Sequence, residues 1–497
     1  MLKGLTAATI GLLAINIIGL IFQPLLARAL GPEGYGYFGV FMSFFTILSY
    51  TLLLGLDEAS KKFLNSDAIR NLETSIIILI IGISAGLFSV ISALIMYSAN
   101  LGSFLFPNTT TFLLFISALI AVFPSNLNNI ALSFLYTDYF EDRAEFLHVL
   151  NRLLFLSVSF AAVYTGRNIL VIPLIMMASY LLTGFIGLTI YYIRKILMLK
   201  PLKGLNQVTN NLQNSISKKS VKILRFGGVI VLINLFFNLH FHFDVIAVNW
   251  MTDTENTGIY KAMIVVAHFL WLIPAATSKI MLHNFSDMIS KSKVSQVTEN
   301  TDKLFSYSII FSILLGIGLI SLAEPFITLY YGMDYVEGVL TLQILSVGAA
   351  IGFSAVIFSP ALEALDKEKH SAKAAALSAI TNICLNLLLI PIYGINGAAV
   401  ATALSYSSML IFYTYFYWKE TRSNPIKPLM LTKLALNSFL LYLTLYLGRL
   451  VVQTDIFQLI ILPPVGLTIF IIGGLALGLI QTRELRKLYE YTFSKKY

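Results

Sequence analysis

Long apolar runs separated by short polar segments follow one another along the whole chain. A helix needs roughly 20 consecutive apolar residues to cross the hydrocarbon core of a bilayer. An even number of such runs places both termini on one side of the membrane. The pattern predicts about fourteen transmembrane helices, at 6–29, 36–57, 73–98, 112–136, 146–166, 169–193, 223–250, 257–283, 304–330, 337–362, 371–391, 396–418, 430–452 and 457–480.

The length of these runs and the composition together set the fold class. A transmembrane β-barrel would instead show segments of about 10 residues with alternating polarity. Hydrophobic residues make up 57% of the chain and charged residues 12%, whereas a soluble domain carries about 25% charged residues. The sequence therefore predicts an all-α polytopic membrane protein.

The basic residues indicate how the chain is oriented. Most of the 34 lysine and arginine residues lie in alternate loops, on the side that also holds both termini. Cytoplasmic loops carry such an excess, so we expect a cell-membrane protein with cytoplasmic N and C termini. This distribution accounts for the net charge of +9 without a nucleic-acid partner. The first run is too long for the apolar region of a signal peptide, and we interpret it as the first span.

A charged turn near the N-terminus returns later in the chain. The segments Glu33–Phe38 (EGYGYF) and Glu255–Tyr260 (ENTGIY) lie 222 positions apart and share the first glutamate, the middle glycine and an aromatic end. Asn16 meets Asn238 at the same offset. We therefore predict two six-helix lobes related by a repeat, plus two C-terminal helices. The predicted parts are a lobe at 1–193, a basic cytoplasmic linker at 194–222, a second lobe at 223–418, and two spans with a basic tail at 419–497.

The linker has two interpretations. Leu205, Val208, Leu212 and Ile216 recur at helical spacing among basic and polar residues. This pattern is typical of an amphipathic helix that lies on an anionic leaflet. A flexible tether is the alternative.

Several kinds of catalytic chemistry are missing from the sequence. There is no GxxxxGK[ST] motif for nucleotide hydrolysis and no HExxH metal motif. The single cysteine, Cys384, allows neither an internal disulfide nor a cysteine metal cluster. His240 and His242 point to different faces of one helix, which disfavours a metal site with Asp244. We expect no enzyme activity, no cofactor and no metal.

Ionisable residues inside the apolar runs are the best indication of a functional site, because they are costly in a bilayer and usually face a wet interior. Lys261, His268 and Lys279 return to nearly one face of the eighth span if it is a continuous helix. They would form a cationic stripe. The alternative is that both lysines anchor the helix at the membrane interfaces.

Polar residues form two further stripes, on the first and seventh spans. Thr9, Asn16 and Gln23 share one helical face, and so do Asn234, Asn238, His242 and Asn249. Because these spans are equivalent in the repeat, the stripes indicate a wet cleft. Hydrogen bonds that hold neighbouring helices together are the alternative explanation.

Three further charged residues lie within or at the ends of the apolar runs. Arg28 ends the first span on the predicted outer side, where arginine is disfavoured, so we expect it to face inward. Asp244 projects away from the stripe of its span and would need a partner such as Lys261. Arg152 opens the fifth span and is explained equally well as an inward-facing residue or as a cytoplasmic anchor.

Three segments resemble a known family. They are ARALGPEGYGYF at 27–38, HFDVIAVNWMTDTENTGIYKA at 242–262, and ALEALDKEKHSAKAAALSAITNICLNLLLIPIYGINGAAVATALSY at 361–406. Each is similar to a segment of the polysaccharide-transport flippases of the multidrug/oligosaccharidyl-lipid/polysaccharide exporter superfamily. The resemblance implies two six-helix lobes around a cationic cavity and two extra helices. It also implies the transfer of lipid-linked sugars from the cytoplasmic to the outer leaflet.

Our hypothesis is a flippase for a polyprenyl-phosphate- or pyrophosphate-linked oligosaccharide that works by alternating access in polysaccharide biosynthesis. The expected partners are this glycan, membrane lipid, and a glycan polymerase or glycosyltransferases. Asp244 or His268 could couple transport to protons or sodium ions. A cation-coupled drug or metabolite exporter and a non-transporting scaffold are the alternatives. The residues expected to line the substrate cavity are Lys261, His268, Lys279, Arg28, Asn16, Gln23, Asn234, Asn238 and His242.

Overall fold

The structure is a computed structural model of the full chain. It describes residues 2–64, 68–102, 106–138, 140–198, 203–291 and 293–479. Within those ranges the side chains of some helical residues lie outside the described part, among them residues 2–10 and 203–216. Two compact units are present, Met1–Lys261 and Ala262–Tyr497. The boundary falls inside the predicted eighth span and not in the predicted linker.

The first unit contains seven helices of its own and the start of an eighth, among its described residues. These are α1 (Leu2–Leu52), α2 (Leu56–Phe63), α3 (Ala68–Ser98), α4 (Thr109–Thr137), α5 (Glu141–Tyr164), α6 (Val171–Met198), α7 (Lys203–Met251) and α8 (Thr254–Ala267), which continues past the boundary.

The second unit begins with the end of α8 and a 3-10 segment at His268–Trp271. Two more 3-10 segments, Met333–Gly338 and Phe353–Ile357, interrupt the helices that follow. Those helices are α9 (Leu272–Ser290), α10 (Val294–Ser321), α11 (Ala323–Tyr330), α12 (Val339–Gly352), α13 (Phe358–Ala364), α14 (Glu368–Thr421), α15 (Pro428–Val451) and α16 (Asp455–Ala476).

The predicted fold class is confirmed: the described residues form helices and their connections, with no strand among them. Within the described ranges, eleven helical segments are long and apolar enough to cross a membrane. Two of these, Ala14–Phe63 and Glu368–Thr421, each cover two predicted spans. The predicted eighth span is divided among α8, a 3-10 segment and α9, and it is not among the eleven.

Two of the predicted turns are single-residue kinks. The turn between the first two spans is predicted as a loop at 30–35. In the structure it is a kink at Gly31, whose φ of 66° interrupts α1. Gly394, with a φ of 56°, breaks α14 in the same way. Glycine adopts this left-handed conformation at little cost, because it has no Cβ. Each kink therefore joins two spans with almost no loop.

Helix α4 is the centre of the first unit. It packs against α1, α3 and α6, and its buried asparagines make hydrogen bonds between helices. Asn126 Nδ2 donates to the carbonyl of Leu52 at 3.1 Å, and Thr183 Oγ1 on α6 donates to Asn128 Oδ1 at 2.7 Å. Such bonds hold membrane helices together where water is absent.

In the second unit, small residues allow the two arms of α14 to pack closely against their neighbours. A Cβ added at Gly348 of α12 would lie 2.5 Å from Ala403 Cβ. Gly397, Ala398, Ala399 and Ala401 are buried, as the small-residue run of the sequence suggests. Helices α15 and α16 pack against each other and against α10 and α11.

The predicted linker is helical from Lys203 and continues without a break into the seventh span as α7. Its C-terminal part is fixed to α3 by an ion pair. Lys219 Nζ lies 2.6 Å from Glu73 Oε2, with the lysine side chain 28% exposed and the glutamate side chain 4% exposed. Ile223, one turn further on, is buried in the core of the first unit.

We expect Lys219→Met to lower the free energy of unfolding by about 2 kcal/mol, because it removes the close cation from a buried carboxylate. The matched control is Lys303→Met. Lys303 pairs with Glu299 at 2.5 Å, but both side chains are more than half exposed, and such pairs contribute less than about 1 kcal/mol. Thermal unfolding in detergent measures both variants. Equal midpoints would contradict a stabilising role for the Glu73–Lys219 pair.

Candidate functional site

The two glycines that the repeat relates are in contact. A Cβ added at Gly36 would overlap the Thr254 carbonyl oxygen and lie 3.0 Å from Gly258 N. A Cβ added at Gly258 would overlap the Pro32 carbonyl oxygen and lie 2.8 Å from Gly36 N. Helices α1 and α8 therefore meet backbone to backbone. We call this contact the first crossing.

Lys261 lies one helical turn beyond the first crossing. Its Cγ would be 2.9 Å from a Cβ added at Gly39, so the lysine chain runs along the surface of α1 that glycine leaves open. The side chain is half-buried and interacts electrostatically with Asp244 and Arg152. Among the described residues, no hydrogen bond or salt bridge engages its ammonium group.

Asp244 of α7 is fully buried. Tyr260 Oη donates to its Oδ2 at 2.6 Å, and the backbone N–H of Val245 donates to its Oδ1 at 2.8 Å. The carboxylate is thus held in place by α7 and α8 together. It supplies the negative charge near Lys261 that the sequence led us to expect, without a direct salt bridge.

Arg152 of α5, which the sequence left open between an inward-facing residue and an anchor, belongs to the same group. It is half-buried, and its Nε atom is buried with no hydrogen-bond partner in the described residues. Tyr35 and Tyr180 are its electrostatic neighbours besides Lys261. The signal was present, since arginine inside an apolar run is costly, but a position near the end of a span made an interfacial anchor equally plausible.

Gln23 is part of the same group of side chains. Its Oε1 accepts a hydrogen bond from Tyr35 Oη at 3.3 Å. A Cβ added at Gly19 would lie 3.4 Å from Gln23 Nε2 and 3.5 Å from Arg152 Nη2. Gly19 therefore leaves space for both polar side chains, and the structure brings Gln23, Arg152, Tyr35 and Lys261 together within one unit.

Other predicted residues of the first unit are placed differently. Asn16, Asn234 and His242 are half-buried, and Arg28 is exposed. Asn238 is buried and donates to the carbonyl of Asn234 at 2.8 Å on its own helix. That bond lies within one helix, so it is not the bond between helices that the alternative explanation of the stripe requires.

His268 belongs to the second unit. The 3-10 segment at His268–Trp271 interrupts the helix, and because such a segment has 3.0 residues per turn, the helical register does not continue through it. The predicted register between His268 and Lys279 is therefore interrupted, and the common face of Lys261, His268 and Lys279 stays a prediction. His268 Nε2 lies 2.8 Å from Tyr406 Oη. The side chain of Lys279 is outside the described residues.

A second close backbone contact, which we call the second crossing, joins the turn after α1 to α7. Leu54 and Gly55, which connect α1 to α2, have φ values of 56° and 63°. A Cβ added at Gly227 of α7 would overlap the Leu54 carbonyl oxygen, and one added at Gly55 would lie 2.9 Å from the Gly227 carbonyl oxygen. Phe63 and Phe226 pack edge to face beside it, with ring centroids 5.8 Å apart.

Comparison with known proteins agrees with this architecture. Residues 1–278 match the family model described as "Polysaccharide biosynthesis protein", which is more than half of the chain. The protein belongs to this family. No group of three His, Cys, Asp or Glu side chains that could hold a metal ion occurs among the described residues.

A relative from Haloferax volcanii, the "Probable low-salt glycan biosynthesis flippase Agl15", is 22% identical over 419 residues, which are 83% of each chain. Among solved structures, the inward closed conformation of the lipid II flippase MurJ matches with a TM-score of 0.74 and 17% identity, over 95% of this chain and 98% of that one. An inward-facing multidrug resistance MATE family transporter matches with a TM-score of 0.66 and 14% identity, over 84% of this chain and all of that one. At these identities the two structures establish a shared fold.

We expect Gly258→Ala to lower the midpoint of thermal unfolding, because the new methyl group overlaps backbone atoms that cannot move aside as a side chain can. Gly228→Ala is the matched control. Gly228 also lies inside a helix, but nothing lies within 4 Å of an added Cβ there. Gly228→Ala should therefore have only the stabilising effect of alanine over glycine in a helix, about 1 kcal/mol. If Gly258→Ala were as stable as Gly228→Ala, the close backbone contact at the first crossing would be contradicted.

Proposed function

We propose that this protein is a flippase that moves a polyprenyl-phosphate- or pyrophosphate-linked oligosaccharide from the cytoplasmic to the outer leaflet. The observation that carries the proposal is the presence of two cations, Arg152 and Lys261, inside the membrane-spanning part of the first unit. Among the described residues neither has a salt-bridge partner, and Asp244 is the one carboxylate that acts on Lys261. The group therefore carries a net positive charge that an anionic ligand would neutralise.

The family and the relatives support the same conclusion. The family is described by polysaccharide biosynthesis, and Agl15 is named as a glycan biosynthesis flippase. A transporter of this kind needs no catalytic residues. Glycosyltransferases that build the glycan, and a polymerase that extends it, are the partners that this role implies.

The barrier to this reaction is the transfer of a sugar-phosphate head across about 30 Å of hydrocarbon. Arg152 and Lys261 would hold the phosphate, and polar side chains such as Gln23 would replace the water around the sugars. With the inside of the cell negative, the membrane potential favours outward movement of an anion by about 2.3 kcal/mol per charge for each 100 mV.

Alternating access fits the two glycine crossings. From Gly36 to its end at Leu52, α1 extends about 24 Å at 1.5 Å per residue, most of the thickness of the hydrocarbon core. With cytoplasmic termini, the first crossing lies at the outer end and the second at the cytoplasmic end. Opening one crossing while the other stays closed would expose Arg152 and Lys261 to one side at a time. Proton or sodium coupling through Asp244 or His268 is a further part of the proposal.

The MATE-like fold raises the alternative of a drug or metabolite exporter. Organic cations would require an excess of acidic residues at the site. The net charge around Lys261 has the opposite sign, which favours the flippase.

We expect Lys261→Gln and Arg152→Gln each to slow translocation at least tenfold, which corresponds to about 1.4 kcal/mol in activation free energy. The assay is transfer of a fluorescent polyprenyl-pyrophosphate-linked disaccharide across proteoliposomes. Lys303→Gln, at an exposed lysine, is the control for loss of a positive charge. Wild-type rates in both site variants would remove these residues from the substrate site.

A further inference from the structure

The polar groups of the first unit continue beyond Arg152 towards the second crossing. Arg152 is an electrostatic neighbour of Tyr180 on α6, Tyr180 of Tyr50 on α1, and Tyr50 of Asp57 on α2. Asp57 is two residues beyond Gly55. Electrostatic neighbours therefore lead stepwise from Arg152 to the turn at the second crossing, and a ring contact with Phe45 places Tyr180 against α1.

Tyr50 has the properties of a residue that lines accessible space. It is 42% exposed, although it lies deep among the atoms of the protein. Tyr180 is half-buried, and its ring packs against that of Phe45, with centroids 5.7 Å apart. The contact with Phe45 fixes the position of the Tyr180 ring, whereas part of the Tyr50 side chain remains accessible.

Asp57 adds a carboxylate with unused capacity. Its Oδ1 is buried and has no hydrogen-bond partner in the described residues. The nearby cation, Lys61, is paired with Glu58 at 2.5 Å. A buried acceptor without a partner is costly, and this one lies two residues from Gly55 of the second crossing.

We propose that Tyr50, Tyr180 and Asp57 form a sugar-binding subsite for the residue of the glycan nearest the phosphate, and that it selects a neutral sugar. Tyrosine offers an apolar ring face with a polar end, which matches the C–H face and the hydroxyl rim of a pyranose. A carboxylate accepts strong hydrogen bonds from hydroxyl groups. The negative charge of Asp57 repels a uronic acid at the same place. This inference rests on the proposed function, since it needs Arg152 and Lys261 to hold the phosphate next to Tyr180.

The test compares the binding of three probes to the purified protein in nanodiscs. The probes are polyprenyl phosphate without sugar, the same lipid with N-acetylglucosamine, and the same lipid with glucuronic acid. Wild-type protein should bind the N-acetylglucosamine lipid most tightly. Tyr50→Ala and Tyr180→Ala should weaken its binding about tenfold and leave polyprenyl phosphate unchanged. Asp57→Asn should reduce discrimination against the glucuronic acid lipid.

The controls separate this subsite from a structural role and from the proposed function. Tyr442→Ala replaces another tyrosine that is 42% exposed, on α15, and should bind all three probes as wild type does. Tyr50→Phe should retain most of the sugar contribution. Equal weakening for lipids with and without sugar, or no weakening, would overturn the subsite. Wild-type protein that binds none of the three probes would overturn the flippase proposal as well.

Discussion

Glycine stands where the backbone of α1 meets α8 and where the turn after α1 meets α7. At Gly36 and Gly258 the two helices approach within the space that a methyl group would fill, and Gly55 and Gly227 do the same at the other end. A bilayer provides little hydrophobic force between helices, so close packing of this kind contributes much of the attraction. The placement of Lys261 depends on it, because the lysine side chain lies against Gly39, one turn from the first crossing.

The surroundings of the charged residues explain how the fold tolerates them. Arg152 and Lys261 are costly inside a membrane, and the structure reduces that cost only in part. Asp244 offsets some of the charge of Lys261, Gln23 and the tyrosines provide polar surroundings, and both cations retain accessible surface. A protein that needed only stability would replace these residues with apolar ones. In the proposed function, they bind the anionic head of the substrate.

The interior of the first unit thus has two kinds of polar surface. Cations lie near the first crossing, whereas tyrosines and an aspartate lie towards the second. A lipid-linked glycan has the same division, with a phosphate at one place and sugars beyond it. The described part of the second unit shows another pattern, in which buried polar side chains bond to one another. Asn382 and Thr402, for example, join the two arms of α14 at 3.3 Å.

The sequence by itself determined the all-helical membrane fold, because the length of an apolar run is fixed by bilayer thickness and needs no tertiary information. It also identified Gly36 and Gly258 as equivalent and Lys261 as a residue of interest, since a repeat and a charge in an apolar run are local signals. It predicted one cationic face through Lys261, His268 and Lys279, because helical periodicity assumes an unbroken helix. Only the tertiary structure placed the 3-10 segment that interrupts the register between His268 and Lys279, paired His268 with Tyr406, and brought Arg152 of α5 close to Lys261 of α8. These depend on which helices pack together, and a single sequence carries no signal of a contact between two unlike residues more than 100 positions apart.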